Sequence, residues 1–133
     1  MIAGVADTHA ALWYLFGDPR LSPPARNFID QAAGTGRKVI LSVISLAEIL
    51  YLIEKHRLPA AAYEKLRQAL GVPDYVIDES PLTIGIVEAM KQVSRAEVPD
   101  MPDRIVAATA VYLGVPVISR DGRIRAANLQ TVW

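Results

Sequence analysis

Short apolar runs alternate along the chain with stretches whose apolar residues recur at helical spacing. Ile2–Ala6 is a run of the first kind and stops at Asp7, which reads as a buried strand. Helical character follows over Thr8–Phe16 and ends at Gly17-Asp18-Pro19. Ser22 with Pro23 and Pro24 reads as an N-cap and early prolines, opening a helix to about Ala33 that Gly34-Thr35-Gly36 breaks. Val39–Val43 reads as a second strand. Ser45 then caps a helix through about Lys55, with Glu48 at the capping-box position. Pro59 opens a helix to Leu70, stopped by Gly71 and Pro73; Tyr75–Ile77 is a short strand and Pro81–Val93 a further helix. After the stiff loop from Val98 to Pro102, Pro102 or Asp103 starts a helix through Leu113 that Gly114 closes. Val115–Ser119 is a strand, Gly122–Ala127 a short helix and Thr131–Trp133 a last strand. Strands alternating with helices predict an α/β domain around a mainly parallel sheet.

Composition narrows the chemistry. The chain has 133 residues, 52% of them hydrophobic and 21% charged, enough for one domain over residues 1–133 with a real core. Lys+Arg and Asp+Glu each total 14, so the net charge of +0 excludes a globally basic surface as the route to nucleic acid. Cysteine is absent and there are two His, which excludes disulfides and zinc thiolate sites and leaves oxygen as the donor for any metal. No apolar run reaches the roughly 18–20 residues of a membrane span, and the N-terminus lacks the basic start of a signal peptide, so no membrane association and a cytoplasmic location are expected. There is no GxxxxGK[ST] phosphate loop and no GxGxxG after the first strand.

Ligands of open parallel sheets bind beyond the carboxyl ends of the strands. Four acids fall there or in the helices that follow: Asp7, Glu48, Asp103 and Asp121. Each has an ordinary reading, as an N-cap, a capping-box acid, a complement to a helix dipole or the acid of an Asp-Gly turn. Together at one edge they repel one another, and a divalent cation removes that cost. Mg²⁺ or Mn²⁺ suits an all-oxygen site, and such a site suits metal-assisted phosphodiester cleavage. A phosphoacceptor receiver domain also gathers acids around Mg²⁺. It needs a Lys after its fifth strand, and no Lys follows Arg95.

The string Asp7-Thr8-His9 with AALWYL, then SVISLAEIL, PDMPDRIVAATAVYLGVPVISRDGRI, DPRLSPPARNFI and the terminal TVW resemble PIN-domain ribonucleases, especially VapC-type toxins of toxin–antitoxin pairs. The resemblance spans nearly the whole chain. It implies a three-layer α/β/α PIN-like domain and a Mg²⁺- or Mn²⁺-dependent endoribonuclease. It also implies a homodimer held inactive by a cognate antitoxin, with Asp7, Glu48, Asp103 and Asp121 as catalytic metal ligands. Asp100 stands where the family often has an acid three residues before its third. Many relatives carry His and Gly just before that motif, where this chain reads Glu97-Val98-Pro99. A PIN nuclease of RNA processing without an antitoxin, or a non-catalytic PIN-like module, are the neighbouring readings.

Around the acids, Thr8 and Ser119 are hydroxyl residues placed to orient a carboxylate, or simply a helix start and a strand end. Arg104 adjoins Asp103 and either pairs with Glu48 or another acid of the site or sits on the helix surface in a weak ion pair. Arg120, Arg123 and Arg125, with Lys91 and Arg95, are candidate RNA phosphate contacts or a solvated face. His9 reads as a packing residue, and Trp13 and Trp133 as core or interface aromatics. The helix at Ser45–Lys55 is apolar nearly all round, which predicts that it and the neighbouring helix Ala60–Leu70 form part of a groove for an antitoxin helix or a second subunit.

Overall fold

The computed structural model describes residues 1–127 and 129–133. Its strands are β1 (Ile2–Ala6), β2 (Lys38–Ser42), β3 (Ile77–Ser80), β4 (Val117–Ile118) and β5 (Thr131–Val132), which pair in parallel in the order β3-β2-β1-β4-β5. Side chains along a strand alternate between faces, and the core divides accordingly. Val39 and Leu41 of β2 and Ile118 of β4 enter one cluster, whereas Ile40 and Val117 enter the other. The first cluster is covered by α1 (Thr8–Phe16), α2 (Pro23–Gly34) and α4 (Ala61–Leu70), the second by α5 (Ile84–Ala89) and α6 (Met101–Leu113). Between them α3 (Val43–Glu54) sends Leu46 and Ile49 to the first cluster and Ile44 against the second. The result is the expected three-layer α/β/α arrangement with an all-parallel sheet.

Several boundaries move from their predicted places, each for a tertiary reason. β2 ends at Ser42, whose Oγ accepts from the Ile44 N–H (3.3 Å) and caps α3, so Ser45 is not the cap but a buried residue inside the helix. β3 lies at Ile77–Ser80 and not at Tyr75–Ile77, because it follows the register of β2 from Val39↔Ile77 to Ser42↔Ser80. It is an edge strand, and its exposed Asp78 and Glu79 mark that position. α5 starts after Thr83, well inside the segment predicted from Pro81, and tightens into a 3-10 turn at Met90–Gln92. α6 starts at Met101 because Asp100 caps it, accepting from the Asp103 N–H (3.2 Å). Gly17 and Gly114 end α1 and α6 in the left-handed conformation, φ 62 and 69, which a residue without Cβ adopts freely.

The strand order sets the position of the site. The chain steps outward from β1 through β2 to β3, then returns to lay β4 on the other side of β1. The direction of winding therefore reverses between β1 and β4, and a crevice opens beyond their carboxyl ends.

Candidate active site

Asp7 and the Ser119–Asp121 segment leave the sheet side by side at that crevice. The Asp7 N–H donates to the Ile118 carbonyl (3.0 Å), extending the β1–β4 ladder by one bond. The Asp7 carboxylate then divides its two oxygens. Oδ1 accepts from the Ala10 N–H (2.8 Å) and caps α1, while Oδ2 accepts from Ser119 Oγ (2.5 Å). The same Ser119 oxygen accepts from the Asp121 N–H (3.0 Å). Asp121 Oδ1 accepts from the Arg123 N–H (2.8 Å) and caps α7 (Gly122–Ala126). Buried Ser119 thus holds the first and last acids in fixed relation.

Glu48 arrives from α3. Thr8 donates to Glu48 Oε1 (2.6 Å), and its hydroxyl lies 2.8 Å from Ser45 Oγ. Asp103 sits in the first turn of α6. Burial pushes its carboxyl up to about 7; the charges of Asp100, Asp121 and Glu48 and a side-chain hydrogen bond with Asp121 push the same way. Burial also raises Asp7, opposed by Ser119, the Ala10 N–H and His9, with Asp121 raising it further. The four acids therefore act on one another: Asp121 on Asp7 and Asp103, and Glu48 on Asp103.

The donor chemistry fits a hard divalent cation, with carboxylate oxygens only and mutual repulsion that such an ion would relieve. Among the described residues no three acids already meet at ligating distance.

The remaining candidates are placed as follows. Among the described residues Arg104 pairs with no acid. Its guanidinium donates to the carbonyls of Val93 and Met90 (2.9 Å each) and ties α6 to the end of the preceding helix. Asp100 caps α6 and acts on Asp103 through its charge. Lys91 is exposed and pairs with Glu88 (2.9 Å), and Arg95 is exposed in the loop before α6. Arg120 is exposed beside Asp121, and Arg123 and Arg125 are exposed on α7. Arg20, in the connection from α1 to α2, escaped the sequence reading; its guanidinium and that of Arg120 both lie over Trp13.

A parallel α/β/α sheet with an oxygen-only acidic crevice at its switch point defines a class of fold and site. The PIN domain family model matches residues 5–129, and the chain belongs to the PIN domain family. The chain is similar to ribonuclease VapC22 of Mycobacterium tuberculosis, 26% identical over the whole of both chains. Its fold matches a chain of the VapBC2 complex of Rickettsia felis bound to a promoter DNA fragment, with a TM-score of 0.71, 16% identity and 98% and 97% of the two chains covered. It also matches a chain of a toxin–antitoxin complex from Klebsiella pneumoniae, with a TM-score of 0.65, 20% identity and coverage of 98% and 97%.

Proposed function

We propose that the protein is a divalent-metal-dependent endoribonuclease and the toxin of a type II toxin–antitoxin pair. The observation that carries this reading is the Ser119 link that holds Asp7 and Asp121 together at one sheet edge, with Asp103 and Glu48 brought beside them by α6 and α3. Asp7, Glu48, Asp103 and Asp121 would hold Mg²⁺ or Mn²⁺. Bound there, the ion supplies charge neutralisation of a phosphodiester and a water of lowered pKa. The chain's own part is positioning. Ser119 fixes Asp7 against Asp121, Thr8 fixes Glu48, and the Asp100 cap with the Arg104 clamp sets the start of α6. Arg120, Arg123 and Arg125 supply positive charge beside the acids for an RNA backbone.

The ribonuclease name of the VapC22 relative and the toxin–antitoxin complexes among the fold neighbours support the partner reading. So do the surfaces. On α3, Val43, Leu50 and Tyr51 are exposed, and on α5 and α6 so are Ile84, Val87 and Tyr112, apolar surface that a homodimer would cover. Leu12, Phe16, Leu58, Pro59 and Ala62 line a cleft between α1 and the start of α4 together with His9, Trp13, Arg20 and Arg57, so an antitoxin segment seated there would also cover those two arginines. Among the described residues no helix is long and apolar enough to cross a membrane.

The test is Asp7→Asn. Asparagine still caps α1 but loses a charged ligand, so the protein folds while Mg²⁺- or Mn²⁺-dependent RNA cleavage falls by at least about 10²-fold. Mapping RNA ends in cells expressing wild type against the variant reads the same loss on natural targets. Cleavage that survives the change, with contaminating nuclease excluded, overturns the assignment.

A further inference from the structure

Beside the acids lies a second cluster that metal-assisted hydrolysis does not use. Trp13 of α1 is buried, 7% exposed, beneath two arginines from distant parts of the chain. The Arg120 guanidinium carbon is 4.6 Å from the Trp13 ring centroid and that of Arg20 is 5.0 Å away. The exposed His9 ring stands 5.5 Å from Trp13, its plane tilted by 45°. Asp121 joins His9, Trp13, Arg20 and Arg120 in lining one cleft of about 270 Å³. The cleft therefore shares Asp121 with the acidic crevice.

The arginines are ordered in advance. An indole face attracts a guanidinium placed over it and limits its freedom. Arg20 is also gripped by Asp18, through Nε–Oδ1 (3.1 Å) and Nη2–Oδ2 (2.7 Å), yet its side chain remains 61% exposed. Its other N–H donors are left for a ligand. Arg120 makes no ion pair among the described residues. Fixed cations of this kind lose little freedom on binding an anion. A polyanion entering an acidic crevice needs such cations at its side, and the His9 ring offers a face for a base.

We propose that this cleft is a nucleotide subsite for single-stranded RNA. Arg20 and Arg120 hold a phosphate next to the scissile one, and the adjoining base lies against His9. Trp13 is a positioning residue that aligns the two arginines. The proposal rests on the ribonuclease reading and assigns it residues for holding substrate.

Binding is measured in the cleavage-impaired Asp7→Asn protein with a fluorescein-labelled single-stranded RNA oligonucleotide of mixed sequence. Arg20→Ala and Arg120→Ala each weaken binding about 10-fold and reduce the slope of log Kd against log salt by about 0.7. His9→Ala weakens it about 5-fold. Arg37→Ala, at the opposite edge of the sheet, changes nothing. Arg20→Lys and Arg120→Lys keep the charge but lose the flat stack, and fall between. RNA also quenches intrinsic tryptophan fluorescence, because the chain's two Trp residues, Trp13 and Trp133, stand 6.0 Å apart in this cluster. In the otherwise native enzyme the arginine variants raise KM and leave kcat near its original value. Unchanged RNA affinity and salt slope overturn the subsite, whether or not Asp7→Asn abolishes cleavage. A polyglutamate peptide that loses affinity in the arginine variants while RNA does not also overturns it, and gives the cleft to an acidic polypeptide. Absence of metal-dependent cleavage in the unaltered protein overturns the ribonuclease reading instead, and the binding data still judge the cleft.

Discussion

Among the described residues, six helices are capped by side-chain oxygens, and they divide into two sets. Ser22, Ser42 and Thr83 cap α2, α3 and α5 with hydroxyls, at 3.2, 3.3 and 3.3 Å. Asp7, Asp100 and Asp121 cap α1, α6 and α7 with carboxylates, at 2.8, 3.2 and 2.8 Å. Both groups satisfy the same orphan N–H donors, and a hydroxyl serves that purpose well. The carboxylate caps gather at one edge, where burial raises Asp7 and Asp103 and the neighbouring acids raise them further. Capping alone does not account for placing acids where acids are costly. The comparison also shows that the structural and chemical roles are compatible. Asp7 spends one oxygen on the α1 N-terminus and turns the other toward Ser119 and the crevice.

The contrast is broken most severely at Ser119. Ser119→Ala removes the donor to Asp7 and the acceptor of the Asp121 N–H at a fully buried position. Partners that orient metal ligands are worth about 10–100-fold in metal affinity, and a loss in that range is expected. The measurement is the rise in melting temperature across a Mn²⁺ titration, where the variant requires correspondingly more metal for the same shift. An unchanged titration would mean that the Asp7–Ser119–Asp121 link does not serve an ion.

Asp103 sharpens the comparison through pH. Its carboxyl is raised in the folded protein from 3.8 to about 7. Between those values the folded state binds more protons than the unfolded state, so stability falls as pH rises through that window. In EDTA the melting temperature attributable to this group is therefore higher at pH 5 than at pH 8. Asp103→Asn, which carries no charge at either pH, reduces the difference and stabilises the metal-free protein at pH 8. Asp7 is shifted in the same direction, so part of the slope survives the substitution.

What was legible in the sequence follows the range of the interactions. Asp7 and Asp121 stand out because each ends or closely follows an apolar run, and a strand end in a parallel sheet is a local signal. Helix starts were legible where local chemistry decides them, as at Ser22-Pro23-Pro24. The start of α3 was not, because Ser45 with Glu48 reads locally as the cap and only the end of the β2 pairing places the cap at Ser42. β3 slid by two residues for the same reason. Arg104 was misread by its adjacency to Asp103. Consecutive helical residues do not share a face, so its guanidinium turns to Met90 and Val93. The Arg20–Trp13–Arg120 stack left no local trace, since its members come from three separate segments.

The mildest test lies on the hydroxyl side of the comparison. Pro23 and Pro24 have no N–H, so the Ala25 N–H is the first of α2 that needs a partner, and Ser22 Oγ supplies it (3.2 Å). Ala25 is fully buried, which keeps water from replacing the lost oxygen. Ser22→Ala should therefore cost about 1 kcal/mol, or about 3–5 °C in melting temperature for a chain of this length. Its Mn²⁺ titration and RNA cleavage should match the unaltered protein once compared below the transition. A cap that holds only its helix affects stability alone, whereas a cap at the acidic edge affects stability and metal affinity together. A Ser22→Ala protein with weakened Mn²⁺ binding would erase that distinction between the two sets.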